Sequence, residues 1–374
     1  MKISAKQTML WELAFFLFGL SGWTLVNSVF LELPAFIPLH SPRIASQLAL
    51  AVQMGNLAPL VLYIVELTRP DLPKTPLIFA VFALACLCSI GLISLFHARV
   101  ALLLLTAVSG AVGGLFNVLN WPFVGQFGRT FTVLYSLGSG LSPALPGLLA
   151  GLQFQNTKTL FSVPVFFICI FGVIILSFLA FLFIWVFKKS FETSSRNSLL
   201  KNEETSDQVP QLVHGIYVLH AISCALNFSI PGLSFYAVSS FSNPNTWVNY
   251  FTISSLVGGC LARMLCFVVN VKGTSLFVFV LSFFLCSFFA FVIAFSAFAS
   301  FGSYPNAVAV ILLNGIFGFF FSFQNTLGFM TPNLLKLEEE KRSKVARNLA
   351  YLQQAGALIG TLTTFILTEF GILK

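Results

Sequence analysis

The stretch Gly22-Trp23-Thr24-Leu25-Val26-Asn27-Ser28-Val29-Phe30-Leu31-Glu32-Leu33-Pro34 decides the class of this chain. It sets an amide and a carboxyl inside an apolar segment, residues 11–33, long enough to cross a bilayer, and a helix-breaking proline at its end. Polar groups in hydrocarbon cost free energy and mark a pathway or a binding site. On a regular helix Asn27 and Glu32 are separated by about 500° of rotation and face different sectors. Pro34 gives a reason for the helix to distort there.

Composition places the rest of the chain in the same environment. Hydrophobic residues make up 57% and charged residues 9%, with 45 Phe and a mean hydropathy of +0.92. A water-soluble fold with this composition would lack polar side chains to cover its surface. The first apolar run is too long for a signal-peptide core and is expected to be a retained span. The seven cysteines lie within or at the ends of apolar runs, where Cys acts as a small hydrophobe. Cys86-x-Cys88 lacks the spacing and the partners of a zinc site, so neither a metal site nor a disulfide framework is expected.

Apolar runs near 11–33, 44–66, 76–96, 101–125, 131–152, 161–187, 213–236, 247–270, 274–297, 305–330 and 344–369 predict eleven transmembrane helices in an all-α polytopic membrane protein. The last is the most polar, with Tyr351, Gln353 and Gln354. A charged loop, 188–212, separates an N-terminal six-helix half, 1–187, from a C-terminal five-helix half, 213–374. With the N-terminus cytoplasmic and the C-terminus outside, only Arg43, Arg99, Lys158 and Lys374 of the 20 Lys and Arg fall outside. The net charge of +8 is then an insertion signal and not a nucleic-acid surface. The cluster from Lys336 to Arg347, with Glu338, Glu339 and Glu340, reads as a solvated cytoplasmic loop.

Six spans, a charged loop and five more is the layout of a transporter built from similar halves. Internal echoes agree. Asn27 and Pro34 recur as Asn227 and Pro231, Gly113-Gly114-Leu115-Phe116-Asn117 as Asn314-Gly315-Ile316-Phe317-Gly318, and Tyr135 to Gly140 as Tyr351 to Gly356.

The polar residues divide into scaffold and candidate site. Gly138, Ser139 and Gly140 are of the size that lets membrane helices approach closely, and Pro143 and Pro146 bend or unwind that span, which suits a gate or a static kink. Asn27, Gln53, Asn56, Asn117, Asn120, Asn227, Gln324, Asn325, Gln353 and Gln354 form a second population. Carboxamides offer donors and acceptors without net charge. They either bond helix to helix or line a cavity for a neutral, hydrogen-bonding solute, with Trp23, Trp121, Tyr135, Phe116 and Phe323 near enough in sequence to stack on a flat ring. Glu32 either contacts a substrate hydroxyl or imide, carries a proton, or caps exposed amides beside Pro34.

No hydrolase elbow, zincin motif or P-loop occurs, so an enzyme is not expected, nor is ATP-driven transport by this chain alone. No cofactor is implied. The scarcity of cations within spans argues against organic anions and nucleotides as cargo.

Trp23-x3-Asn27-x4-Glu32-Leu33-Pro34-x3-Pro38, followed by Gln53-Met54-Gly55-Asn56-Leu57-Ala58-Pro59-Leu60, resembles the first two spans of the eukaryotic solute-carrier riboflavin transporters. Gly138-Ser139-Gly140-Leu141-Ser142-Pro143-Ala144-Leu145-Pro146 is similar to that family's Gly-rich, Pro-ended fifth helix, although Ser139 stands where the family often has an acidic residue. The resemblance implies a major-facilitator-like fold and riboflavin uptake by alternating access, with proton involvement, at the plasma membrane. Matching side-chain chemistry to that flat, hydrogen-bonding solute, the residues expected as substrate contacts are Trp23, Asn27, Glu32, Gln53, Asn56, Asn120 and Trp121, with Gln324 and Asn325 from the other half. Pro34, Gly138, Ser139, Gly140, Pro143 and Pro146 serve gating or packing. Two other readings compete: an equilibrative transporter of nucleosides or another neutral ring-bearing solute, and a non-transporting receptor or scaffold.

Overall fold

The computed structural model describes residues 5–40, 44–69, 72–155, 158–199, 211–238, 241, 244–268, 275–298, 307–334 and 339–369. Over these the chain is helical: α1 (Ala5–Gly19), α2 (Thr24–Leu31), α3 (Leu33–His40), α4 (Ile44–Gly55), α5 (Ala58–Thr68), α6 (Lys74–Leu95), α7 (Arg99–Gly125), α8 (Arg129–Leu141) and α9 (Ala144–Gln153). A short antiparallel hairpin, β1 (Phe154–Gln155) with β2 (Lys158–Thr159), leads to α10 (Val163–Leu199). Then follow α11 (Gln211–Val238), α12 (Pro244–Val268), α13 (Ser275–Phe298), α14 (Ala307–Leu334) and α15 (Glu339–Glu369).

Among the described residues, 8 helices are long and apolar enough to cross a membrane, or 9 with the bent pair α1–α2 taken as one. The remaining two expected spans coincide with α12, whose apolar stretch Ile253–Cys266 is short, and with α15. The first turns of α15 carry Glu339, Glu340, Lys341, Arg342, Lys344 and Arg347, which lower its hydropathy. Those residues were expected as a solvated loop; from Glu339 onward they are helix instead. The loop expected from residue 188 also begins as helix, because α10 continues to Leu199. Residues 200–210 lie outside the described part.

The first expected span is broken twice. Leu20–Trp23 interrupts it with a 50° bend between α1 and α2. It turns again at Glu32, whose carbonyl accepts from Ala35 N at 2.9 Å and Phe36 N at 3.1 Å. Pro34 sits in the first turn of α3, where its missing N–H goes unneeded. Its side chain lies outside the described part. The second span is interrupted at Asn56 and Leu57 and restarts with Pro59 in the first turn of α5. A fourth break, at Ser142–Pro143, divides α8 from α9.

The chain separates into two compact units, Met1–Gln208 with Lys336–Arg347, and Val209–Leu335 with Asn348–Lys374. The first has an aromatic core: Phe18 meets Phe82, Phe123, Tyr135 and Phe181 at centroid distances of 5.3–6.3 Å. Here α1 lies so close to α8 that a Cβ on Gly138 would overlap the Phe16 carbonyl and one on Gly19 the Tyr135 carbonyl. Small residues permit that approach. In the second unit Phe251, Phe317, Phe321, Cys224, Cys286 and Ile293 form a buried core. There α12 and α14 cross at Gly258, against the Gly315 carbonyl, and at Gly318, against Ser255.

Candidate functional site

The break at Leu20–Trp23 presents backbone polar groups inside the bundle, and α8–α9 answers them. Trp23 N–H donates to Ser142 Oγ at 3.4 Å, and Thr24 Oγ1 donates to the Ser142 carbonyl at 3.2 Å. Ser142 Oγ in turn donates to the Ser139 carbonyl at 2.9 Å. The interruptions of the first and fifth spans are therefore bonded to each other. Buried backbone groups in a membrane require such internal partners. Ser139 and Pro143 are half-buried and Pro146 is buried, while Gly140 continues α8.

Around this junction stand the residues singled out from sequence. The Trp23 ring packs over Gly113 of α7, where a Cβ would sit 3.2 Å from it. One residue further on, Gly114 makes room for Pro59 and for Asn56 Oδ1. Asn56 is 1% exposed and its Nδ2 donates to Gln53 Oε1 at 3.3 Å. Asn56 Oδ1 is buried without a protein partner. The paired glycines of α7 thus bring α2 and the α4–α5 break to one place on that helix.

Further along α7, Asn117 Oδ1 accepts from Trp121 Nε1 at 2.8 Å, and the Trp121 ring meets Tyr135 edge-on at 4.9 Å. Asn120 is fully buried beside the Tyr135 side chain. Neither of its polar atoms forms an aligned hydrogen bond, and Asn117 Nδ2 is likewise unpaired.

Glu32, at the end of α2, is 0% exposed, and both of its oxygens are without a hydrogen-bond partner. Leaving a buried polar atom unpaired costs about 1–3 kcal/mol, more for a charged one. Asn27, by contrast, is half-buried and turns its Nδ2 back onto the Trp23 carbonyl at 2.8 Å, holding the first turn of α2.

Gln324 and Asn325 lie on α14 in the other unit. Both are buried; Gln324 Nε2 donates to the Leu219 carbonyl at 3.5 Å, and Gln324 Oε1 and Asn325 Oδ1 are unpaired. Gln353 and Gln354 of α15 are also buried with unpaired amide atoms.

Sequence reasoning assigned no role to Gln153, which is 1% exposed, with Oε1 unpaired and its amide placed against Glu32. Its signal was a carboxamide one residue past an expected span, where it reads as a loop residue. It also left out Thr24, since a hydroxyl bonding to a distant helix break has no sequence signature, and it did not carry Asn117 into the site.

A sequence model described as "Solute carrier family 52, riboflavin transporter" matches residues 7–156. Among similar proteins, riboflavin transporter rft-1 of Caenorhabditis elegans is 34% identical over 150 residues, covering 37% of this chain and 35% of that protein. Riboflavin transporter rft-2 of the same organism is 31% identical over 192 residues, covering 44% and 40%. Human solute carrier family 52, riboflavin transporter, member 3, is 26% identical over 155 residues, covering 38% and 33%. The chain thus spans 33–40% of the length of these relatives. Among solved structures, the major facilitator superfamily transporter FucP in its outward conformation aligns over 96% of this chain and 92% of its own, with a TM-score of 0.58 at 13% identity. The human organic anion transporter MFSD10 aligns over 97% and 95%, with a TM-score of 0.60 at 14% identity. The chain is a multi-pass membrane protein, and what it matches is a family of transporters rather than of enzymes. Over residues 7–156 the chain is similar to the solute carrier family 52 riboflavin transporters, and over nearly its whole length its fold is similar to that of major facilitator transporters.

Proposed function

We propose that this protein carries riboflavin across the plasma membrane by alternating access. The observation that carries this reading is the set of buried, unpaired polar atoms on Glu32, Asn56, Asn117 and Asn120, which accompanies Trp23 and Trp121 inside the segment that matches the riboflavin transporters. Riboflavin is uncharged, with a flat apolar ring, a uracil-like edge of alternating donors and acceptors, and a chain of hydroxyls. Amides and a carboxyl serve its edge and hydroxyls, and indoles serve its ring. Trp23, Asn27, Glu32, Gln53, Asn56, Asn120 and Trp121 contact substrate from the N-terminal half. Gln324 and Asn325 contact it from the other, with Glu32 also taking up a proton during the cycle. Pro34, Gly138, Ser139, Gly140, Pro143 and Pro146 act in gating or packing.

The reading takes eleven spans, with the N-terminus cytoplasmic and the C-terminus outside. Residues 1–187 and 213–374 are the halves that rock, joined by 188–212. Pairings within the first unit agree with this grouping of helix ends into two faces. Arg99 Nη2 donates to Gln47 Oε1 at 2.9 Å and His40 Nε2 lies 3.0 Å from the Phe96 carbonyl, all at helix ends assigned to the outer face. Lys74 pairs with Glu66 at 3.0 Å, Arg347 with Glu66 at 3.7 Å, and Lys188 Nζ with Gln126 Oε1 at 2.7 Å, all at ends assigned to the cytoplasm.

Glu32→Gln tests the carboxyl. At matched surface abundance, riboflavin uptake should fall or lose its pH dependence, and unchanged uptake at every pH would remove Glu32 from the mechanism.

A further inference from the structure

Arg263 is a cation inside the apolar stretch Ile253–Cys266 of α12, and its Nε is buried without an acceptor. A charge at membrane depth is costly unless it is paired or serves a ligand. Residues 209–335 and 348–374, which make up its unit, contain one carboxylate, Glu369, the last residue of α15. The helix packed against α12, α14, has no ionisable side chain.

The close crossing of α12 and α14 fixes where the guanidinium lies. The two helices run in the same direction, with Ser255 against Gly318 and Gly259 against Ser322. A Cβ on Gly259 would stand 2.7 Å from Ser322 Oγ and 3.9 Å from Arg263 Nη1, so the hydroxyl and the guanidinium lie over the same glycine. Asn325 follows Ser322 by three residues and shares its face of α14. Side chains on a helix lean toward the preceding turn, which brings the Asn325 amide toward the level of Ser322. Asn325 is 5% exposed, and its Oδ1 is buried without a donor.

One donor and one acceptor thus stand unpaired on facing helices, and they are not bonded to each other. Each destabilises the site while it stays empty. A ligand that relieves both presents an acceptor beside a donor. A cyclic imide does so, because its N–H lies between two carbonyls: a carbonyl oxygen accepts from the guanidinium and the N–H donates to Asn325 Oδ1. A phosphate or carboxylate would satisfy the cation but set a second acceptor against the amide oxygen.

We propose that Arg263 and Asn325 recognise the imide edge of the flavin ring, with Arg263 as a specificity-determining residue. This deepens the riboflavin reading and rests on it. The guanidinium also stabilises the ring once the imide has lost its proton, because the negative charge then spreads onto the two carbonyl oxygens.

The test uses the full chain in lipid nanodiscs, with riboflavin and 3-methylriboflavin, whose imide N–H is replaced by N–CH3, as probes. Wild type should bind riboflavin at least tenfold more tightly than the methylated ring, and Asn325→Leu should narrow that preference. Absorbance of the bound flavin gives the pH at which its imide ionises. Arg263→Met should raise that pH by about one unit, as a tenfold loss of preference for the anion, and Arg263→Lys, which keeps the charge, should restore most of it. A residue that only packs would change affinity and leave this pH alone. Arg263→Gln carries the same expectation should the methionine variant fail to insert. An imide that ionises at the same pH in wild type and Arg263→Met, or a preference between the two flavins that is absent or unchanged in Asn325→Leu, would overturn this proposal alone. Wild type that binds no riboflavin would overturn the substrate reading together with it.

Discussion

Thr24 Oγ1 donates to the Ser142 carbonyl at 3.2 Å, joining the break of one membrane helix to the break of another 118 residues away. That single O–H is shared with the Leu20 carbonyl, its nearer acceptor. Thr24→Val preserves shape and removes the donor, so it should destabilise the protein by about 1–3 kcal/mol, because two buried carbonyls lose a partner. Thr363→Val is the control, since that exposed hydroxyl bonds only the Ile359 carbonyl of its own helix. Thermal unfolding of the two variants in detergent makes the comparison, and equal shifts would deny the junction a structural role.

At Gly138 even one methyl group meets the Phe16 main chain, which cannot rotate away as a side chain could. Gly138→Ala should therefore cost about 1–3 kcal/mol or prevent stable insertion. Gly147→Ala, with nothing within 4 Å of its Cβ, should be tolerated. Surface abundance and melting temperature of the pair check this.

Trp121 Nε1 bonds Asn117 Oδ1 one turn away and fixes the indole against Tyr135. Asn117→Leu leaves the indole N–H buried and its orientation loose. Riboflavin affinity should weaken about tenfold as one hydrogen-bonded positioning contact is lost, alongside a stability loss of about 1–3 kcal/mol for the buried donor. Titration of bound flavin fluorescence measures the change.

Glu66 is the shared partner of Lys74 and Arg347, with its side chain 8% exposed and theirs 27% and 28%. Because the carboxylate is nearly buried and the cations are not, Glu66→Gln should cost about 1–3 kcal/mol, between the values of exposed and buried pairs. Raising ionic strength should narrow the difference from wild type only slightly. Denaturation at low and high salt tests both statements.

Much of this was legible in residues 20–60. A carboxyl, amides and prolines in hydrocarbon announce a site, because nothing else offsets their cost, and the pattern around Asn27, Glu32 and Gln53-x2-Asn56 carried the family resemblance. Helix breaks were harder to place. Pro34 pointed to a distortion, and the chain does turn beside it, yet a 50° bend also falls at Leu20–Trp23, which contains no proline and closes through Ser142 instead. The echo of Asn27 and Pro34 in Asn227 and Pro231 is not repeated in the backbone, since α11 runs unbroken from Gln211 to Val238. Charge patterning misled at residues 339–347, where a run of Glu followed by Lys and Arg suits a solvated loop and an exposed helical turn equally well. Partners separated by 100 residues or more, such as Thr24 with Ser142 or Glu32 with Gln153, leave no local trace in sequence.

The most direct test of the account is uptake of labelled riboflavin by cells that lack their own carrier, with unlabelled riboflavin, lumiflavin and adenosine as competitors and surface abundance measured in parallel. The account predicts saturable uptake, abolished by the two flavins and untouched by adenosine. Surface-located protein that moves no riboflavin, or uptake that adenosine blocks, would contradict it.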